Sequence, residues 1–358
     1  MMTEKTKIAI QKISNENVKE AVFEALAKIN AERLMNKKDM IILLKPNLLM
    51  GKAPEKAVNT HPEVVKAVIK WVKQFDVKKV YVCDSAGGKK PGITELAMKE
   101  SGMMQLCERE GVECVPFEKT ERIIYKIQDP FEIEEIASSR LLAEVDLIIN
   151  LPKIKTHWQC TLTCCIKNMF GTVLLANKAK THAKTALLDR FSSALADIYS
   201  VSHPQLTVID GYYGQEGKGP SSGDPVKLDL ILAGYDHIAL DTVVCKIIGF
   251  DPSEVLHIKK AEMKNLGTMN LEKVEIVGDT IENVYREFKR PKLKLISMPL
   301  PKWLANYVGN KIFKATVKFD KNECRLCSTC WTNCPVGAIT PPQEIKKEIY
   351  HPGIKENA

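Results

Sequence analysis

The sequence predicts an α/β protein: open, mostly parallel sheets with helices on both faces, followed by a small cysteine-bearing C-terminal segment. Three observations carry this. Short apolar runs such as residues 40–44 and 145–149 suit strands buried on both faces. Amphipathic stretches at helical spacing alternate with them, which is the pattern of βαβ units. Polar residues collect just past the strand ends, where open α/β sheets bind ligands.

Taken in order, residues 7–13 alternate like a short strand, and Asn15 or Asn17 caps a helix whose apolar stripe is Val18, Val22, Leu26 and Ile29. The strand at 40–44 ends in Lys45-Pro46-Asn47, and the next loop holds Asn59, Thr60 and His61. Pro62 suits a first helical turn, with Val64, Val65, Val68, Ile69 and Val72 on the buried side. Residues 80–83 form a third strand that ends at Asp84-Ser85 and a Gly87-Gly88 turn. One helix then runs to Glu110, and residues 112–117 give a fourth strand.

Residues 131–136 read as an edge segment or a helix, and 145–149 as the next buried strand. That strand delivers the densest polar cluster, Asn150 to His157. A helical segment carrying Cys160, Cys164, Cys165, Lys167 and Asn168 follows, and residues 184–199 form an amphipathic helix. Residues 206–209 make a strand ending at Asp210-Gly211, ahead of the glycine-rich loop 216–220. Residues 228–233 repeat the strand pattern, and Asp236 to Asp241 opens a helix with its acids near the positive end of the dipole. Residues 250–290 form a small closing unit whose strand is 274–277. The expected organisation is a body over 1–289, as one unit or as lobes at about 1–140 and 141–289. A basic amphipathic connector at 290–316 leads to the cysteine segment at 317–358.

The formal net charge of +8 suits an anionic small-molecule substrate. No basic stripe interleaves with aromatics, so no nucleic acid is expected. No run of 18 apolar residues marks a transmembrane span, and residues 1–15 lack an apolar signal core. The expected location is a reducing cytoplasm, with oligomeric state open. The stretch Gly87-Gly88-Lys89-Lys90-Pro91-Gly92 lacks the GxGxxG register, so no NAD fingerprint is present.

Cys324, Cys327, Cys330, Cys334 and Pro335 spell C-x2-C-x2-C-x3-C-P, the spacing by which ferredoxin-like segments hold a 4Fe-4S cluster. A structural zinc knot is the bland alternative, but zinc sites usually supply two separated Cys pairs. The motif has no second copy. Either Cys334 closes one cluster locally, or a remote thiol does, or the chain stops short of a second motif. Cys160, Cys164 and Cys165 are the candidates for an extra ligand or a redox thiol; four apart on a helix, Cys160 and Cys164 would share a face. Small buried hydrophobes are the competing reading. An exposed cluster implies an anaerobe or a niche with little oxygen.

Lys45, Asn47, Lys153, Lys155, Lys167 and Asn168, with Glu216, are the candidate anion-binding residues, because cations converging at strand ends favour carboxylate or phosphate. His157, Lys155, His61, Asp84 and Asp210 are the candidate catalytic residues. A histidine titrates near neutrality, and the carboxylates would orient cations or bind a divalent metal in the body. Solvent-exposed lysines, capping aspartates and a loop-stabilising histidine are the structural counterparts of the same signals.

The chain resembles the DUF362 family, on Lys45-Pro46-Asn47, His61-Pro62, Asp84-Ser85 with the following glycines, and Pro152-Lys153-Ile154-Lys155-Thr156-His157. Further on, Lys167-Asn168 with Gly171, Asp210-Gly211, residues 216–220 and Gly234 through Asp241 continue the resemblance. It implies an α/β body followed by a ferredoxin-type segment. Many relatives carry two cluster motifs where this chain carries one, and Cys164-Cys165 is atypical at its position. The expected function is an iron–sulfur redox protein, a reductase passing single electrons to an anionic substrate or cofactor. Two alternatives stand beside it: a non-catalytic electron carrier or cluster-bearing adaptor docking on a redox protein partner, and a non-redox α/β enzyme with a structural cluster.

Overall fold

The computed structural model describes residues 5–88, 92–185 and 187–291, together with the short strands at 339–340 and 353–354. The first half is built from β1 (Thr6–Lys12), α1 (Val18–Lys28), β2 (Met40–Pro46), α2 (Pro62–Val72), β3 (Val77–Val82), α3 (Ile93–Glu100), α4 (Met103–Glu110) and β4 (Glu113–Cys114). An antiparallel pair, β5 (Arg122–Lys126) and β6 (Glu135–Ser139), stands apart from the main sheet. The chain then runs through α5 (Leu141–Glu144), β7 (Leu147–Leu151), β8 (Lys153–His157), β9 (Thr161–Thr163), α6 (Cys165–Asn168), α7 (Leu175–Lys184) and α8 (Leu188–Val201). It finishes with β10 (Leu206–Glu216), β11 (Asp224–Gly234), α9 (His237–Ile247), α10 (Leu256–Met263), β12 (Val274–Gly278) and α11 (Ile281–Val284).

One ten-stranded sheet joins both halves in the order β12-β1-β11-β10-β7-β2-β3-β4, with β8 on β10 and β9 on β8. Its pairings are mostly parallel; only β1–β11, β10–β11 and β8–β9 are antiparallel. Alternation along the strands feeds two cores. Ala9 of β1 packs with α1 and α2 on one face, while Ile8 and Ile10 pack with α9 and α10 on the other. Each fully buried Ile, Leu or Val stabilises the sheet by about 1.5–3 kcal/mol relative to exposure. Helix starts follow the sequence signals: Asn17 accepts from the Glu20 N–H, and Asp236 from those of Ile238 and Ala239.

Several local expectations are corrected. The single helix to Glu110 is two, α3 and α4, because Gly102 takes a left-handed φ of 76° between them. The fourth strand shrinks to two residues ahead of Pro116. The polar segment after β7 is itself a strand, buried at all five positions. Cys160 and Cys164 do not share a helical face, since β9 lies between them and pairs with β8. The strand expected at 206–209 continues through a bulge to Glu216, because β11 supplies a long antiparallel partner.

Candidate functional site

A cleft of about 210 Å³ opens beyond the C-terminal ends of β2 and β3, walled by β8, α6 and α7. Asn47, Asp84, Ser85, Lys155, His157, Thr163, Lys167, Asn168, Lys178 and His182 line it, with Phe170 and Gly171. The volume suits a ligand of a few heavy atoms, being below the usual range for drug-sized pockets.

The buried cations fall into two groups. Lys45 Nζ lies 2.7 Å from Asp84 Oδ1, and Lys153 Nζ lies 2.8 Å from Asp210 Oδ2, so each has its own carboxylate. Both lysines are 0% exposed, and burial lowers both pKa values against the opposing pull of the partner aspartates. The aspartates are also held by the backbone. Asp84 accepts from the N–H groups of Leu48 (2.6 Å) and Ser85 (2.9 Å), and Asp210 from those of His61 (2.6 Å) and Tyr212 (3.0 Å). Gly171 packs directly on the Lys45–Asp84 pair, where a Cβ would collide with both side chains.

Lys155, Lys167 and Lys178 form the second group. Among the described residues none of them has a carboxylate within ion-pair distance. Lys155 donates to Asn47 Oδ1 (2.6 Å) and the Val58 carbonyl (2.7 Å). Burial pushes its pKa well below the ordinary value, and the Lys167 charge adds to the push. Lys167 sits over the Phe170 and Phe191 rings, 4.5 and 5.5 Å from their centroids, with its pKa lowered by burial. Lys178 donates to the carbonyls of Ser85 and Ala86, and burial brings it down to about 7.

An amide relay fixes the floor. Asn150 Oδ1 accepts from Asn168 Nδ2 (2.7 Å), and Asn168 Oδ1 accepts from Asn47 Nδ2 (2.9 Å), which sets the oxygen that faces Lys155. His157 accepts from the Gln159 N–H at Nδ1 (3.1 Å), so its ring proton sits on Nε2. Burial, then the Lys167 charge, holds its pKa well below the ordinary value, leaving it a neutral hydrogen-bond donor at pH 7.

The structure therefore brings together Lys45, Asn47, Asp84, Lys155, His157, Lys167 and Asn168 of the residues singled out by sequence. Lys153 and Asp210 form a pair outside the cleft lining. His61 caps α2, accepting from the Glu63 N–H, and packs against Tyr212. Glu216 holds the chain after α11, accepting from Lys289 N (2.9 Å). Cys160, Cys164 and Cys165 are buried behind the cleft and do not line it. Sequence reasoning missed Lys178 and His182; their four-residue spacing on α7 was the available signal.

Residues 42–246 match the model of the domain of unknown function DUF362. The chain belongs to the DUF362 family. Residues 317–340, which contain all four motif cysteines, match a 4Fe-4S binding domain. A thylakoid-associated protein of Synechocystis sp. is 31% identical over 265 residues, covering 74% of this chain and 80% of that one. Remote structural likeness extends to the lactate racemase apoprotein from Thermoanaerobacterium thermosaccharolyticum, at 16% identity and a TM-score of 0.40 over 73% of this chain. A Thermotoga maritima protein is similar at 13% identity and 0.39 over 72% of this chain. The chain covers 57% and 60% of those two structures.

This DUF362 protein thus carries an iron–sulfur binding segment. Four thiolates at the spacing of Cys324, Cys327, Cys330 and Cys334 fit a cubane cluster as a donor set. These cysteines and the connector expected at 290–316, apart from its first two residues, lie outside the described residues. Among the described residues no helix is long and apolar enough to cross a membrane.

Proposed function

We propose that the DUF362 body binds a small anion in the lysine cleft and that the protein is a cytoplasmic reductase acting on it. The observation that carries the reading is the convergence of Lys155, Lys167 and Lys178 with no carboxylate at ion-pair distance among the described residues, while Lys45 and Lys153 each have one. Keeping ammonium groups buried and unpaired costs several kcal/mol each, so an incoming carboxylate or phosphate supplies what the site lacks. The lysine N–H groups would meet charge that develops on the bound molecule, and the neutral His157 Nε2–H would donate to it. Asn47 and Asn168 orient Lys155 toward the ligand, while Asp84 holds Lys45 and the β2–β3 ends in place. A 4Fe-4S cluster in the C-terminal segment would supply single electrons.

Calorimetric titration with inorganic phosphate and small dicarboxylates tests the binding step. Lys155→Met and Lys167→Met should each weaken affinity about 10- to 100-fold, the worth of a charge-assisted hydrogen bond of about 1.5–3 kcal/mol. Equal affinity in both variants would sink the anion site. Electron delivery is tested separately, by reducing the anaerobic protein and following reoxidation with and without the anion. Reoxidation indifferent to every anion that binds, but fast with a redox protein, would favour the electron-carrier reading.

A further inference from the structure

The cleft leaves one cluster of chemistry-bearing side chains unused. Cys164 and Cys165 stand at the start of α6, directly between the cleft residues Thr163 and Lys167, with their side chains in the core behind the cleft. Their sulfurs lie 3.9 Å apart. Asp241 approaches from α9, and one donor atom from each of the three residues lies within 4.8 Å of the others. All three residues are 0% exposed.

We propose that Cys164, Cys165 and Asp241 form a structural site for a thiophilic divalent ion of the zinc class. Two sulfurs bound to one tetrahedral zinc, at Zn–S distances of about 2.3 Å, stand about 3.8 Å apart. The observed separation already has that value. The carboxylate is oriented as an outer shell would orient it: Asp241 Oδ1 accepts from the Cys165 N–H (2.7 Å) and Oδ2 from the Ile166 N–H (3.1 Å). Each oxygen keeps a lone pair for a metal. The surroundings are apolar, with Ile154, Leu162, Met169, Ala196 and Val244 packed in the same cluster.

A divalent ion entering the site displaces both thiol protons and forms two metal–thiolate bonds with no change of oxidation state. Cys245 lies one helical turn beyond Asp241 on α9, in the same buried cluster. It stands outside the three-donor group. The bound ion would tie α6 to α9 and so fix the backbone that presents Lys167 and Asn168. This inference does not depend on the proposed reductase activity.

The test uses the full chain, produced in zinc-supplemented medium and purified without oxygen, with zinc and iron measured per chain. One zinc should be retained beside the iron, and Cys164→Ser/Cys165→Ser should lose it while the iron content stays. Zinc unchanged by the double substitution, or no zinc in the parent protein, overturns the site. So does a parent protein two mass units light at the Cys164–Cys165 peptide, which would mean a vicinal disulfide. If the double variant fails to fold, cadmium NMR of the parent protein decides. A resonance in the range of mixed sulfur and oxygen donors supports the site, and its absence overturns it.

Discussion

Lys178 is the cleft residue whose charge is most open to control by pH. Burial lowers its pKa to about 7, opposed by Asp84 and Glu118. A bound anion would raise that value, so the complex would take up a proton wherever free Lys178 is neutral. The favourable contribution is then full below about pH 7 and is lost as pH rises through the higher pKa of the complex. Phosphate or dicarboxylate affinity should therefore fall with rising pH above 7. Calorimetry in buffers of different ionisation enthalpy should show proton uptake at pH 8 and little at pH 6. Lys178→Met should abolish that uptake; uptake unchanged in the variant would place the proton elsewhere. The residue scale is also where sequence was least legible. The value of Lys155 lies in having no carboxylate at ion-pair distance among the described residues, which cannot be read from a lysine in a strand motif.

At the scale of elements, the Lys153–Asp210 pair ties three pieces of chain together. β8 brings the lysine and β10 the aspartate, and the same carboxylate receives the His61 N–H at the mouth of α2. Asp210→Asn would leave a fully buried ammonium without a counter-charge, a loss of about 3–5 kcal/mol. Denaturant unfolding should show that drop, and adding Lys153→Met should recover most of it. Equal midpoints for the single and double variants would mean that the ion pair is not what the aspartate supports. Much at this scale was legible, because capping residues and apolar periodicity are local: Asn17, Pro62 and Asp236 sit at the helix starts they announce. β8 and the length of β10 were not, because their pairing joins residues distant in sequence. β8 met its partner through an irregular register, Asp210 facing Lys153 and Gln215 facing Lys155, which no local pattern encodes.

Over the whole molecule, the question of scale is whether body and iron–sulfur segment share a ligand. The sequence left that choice open, because spacing names ligands within a motif and is silent about thiols brought in by folding. Two large cores close over both faces of one sheet using residues 8–288. Cys160 is 1% exposed, Cys164 and Cys165 are 0% exposed, and all three are surrounded by buried apolar side chains. For one of them to bind a cubane cluster, the cluster would have to displace close-packed core, and filling or opening such packing costs several kcal/mol. The physical expectation is that all four ligands come from Cys324, Cys327, Cys330 and Cys334. Cys160→Ala and Cys164→Ala/Cys165→Ala should keep the parent iron content and electron paramagnetic resonance spectrum. Cys324→Ala/Cys327→Ala should lose both, yet keep the body's unfolding midpoint and its anion affinity. Iron lost from the first set of variants while they remain folded would place a body thiol on the cluster and join the two units into one site.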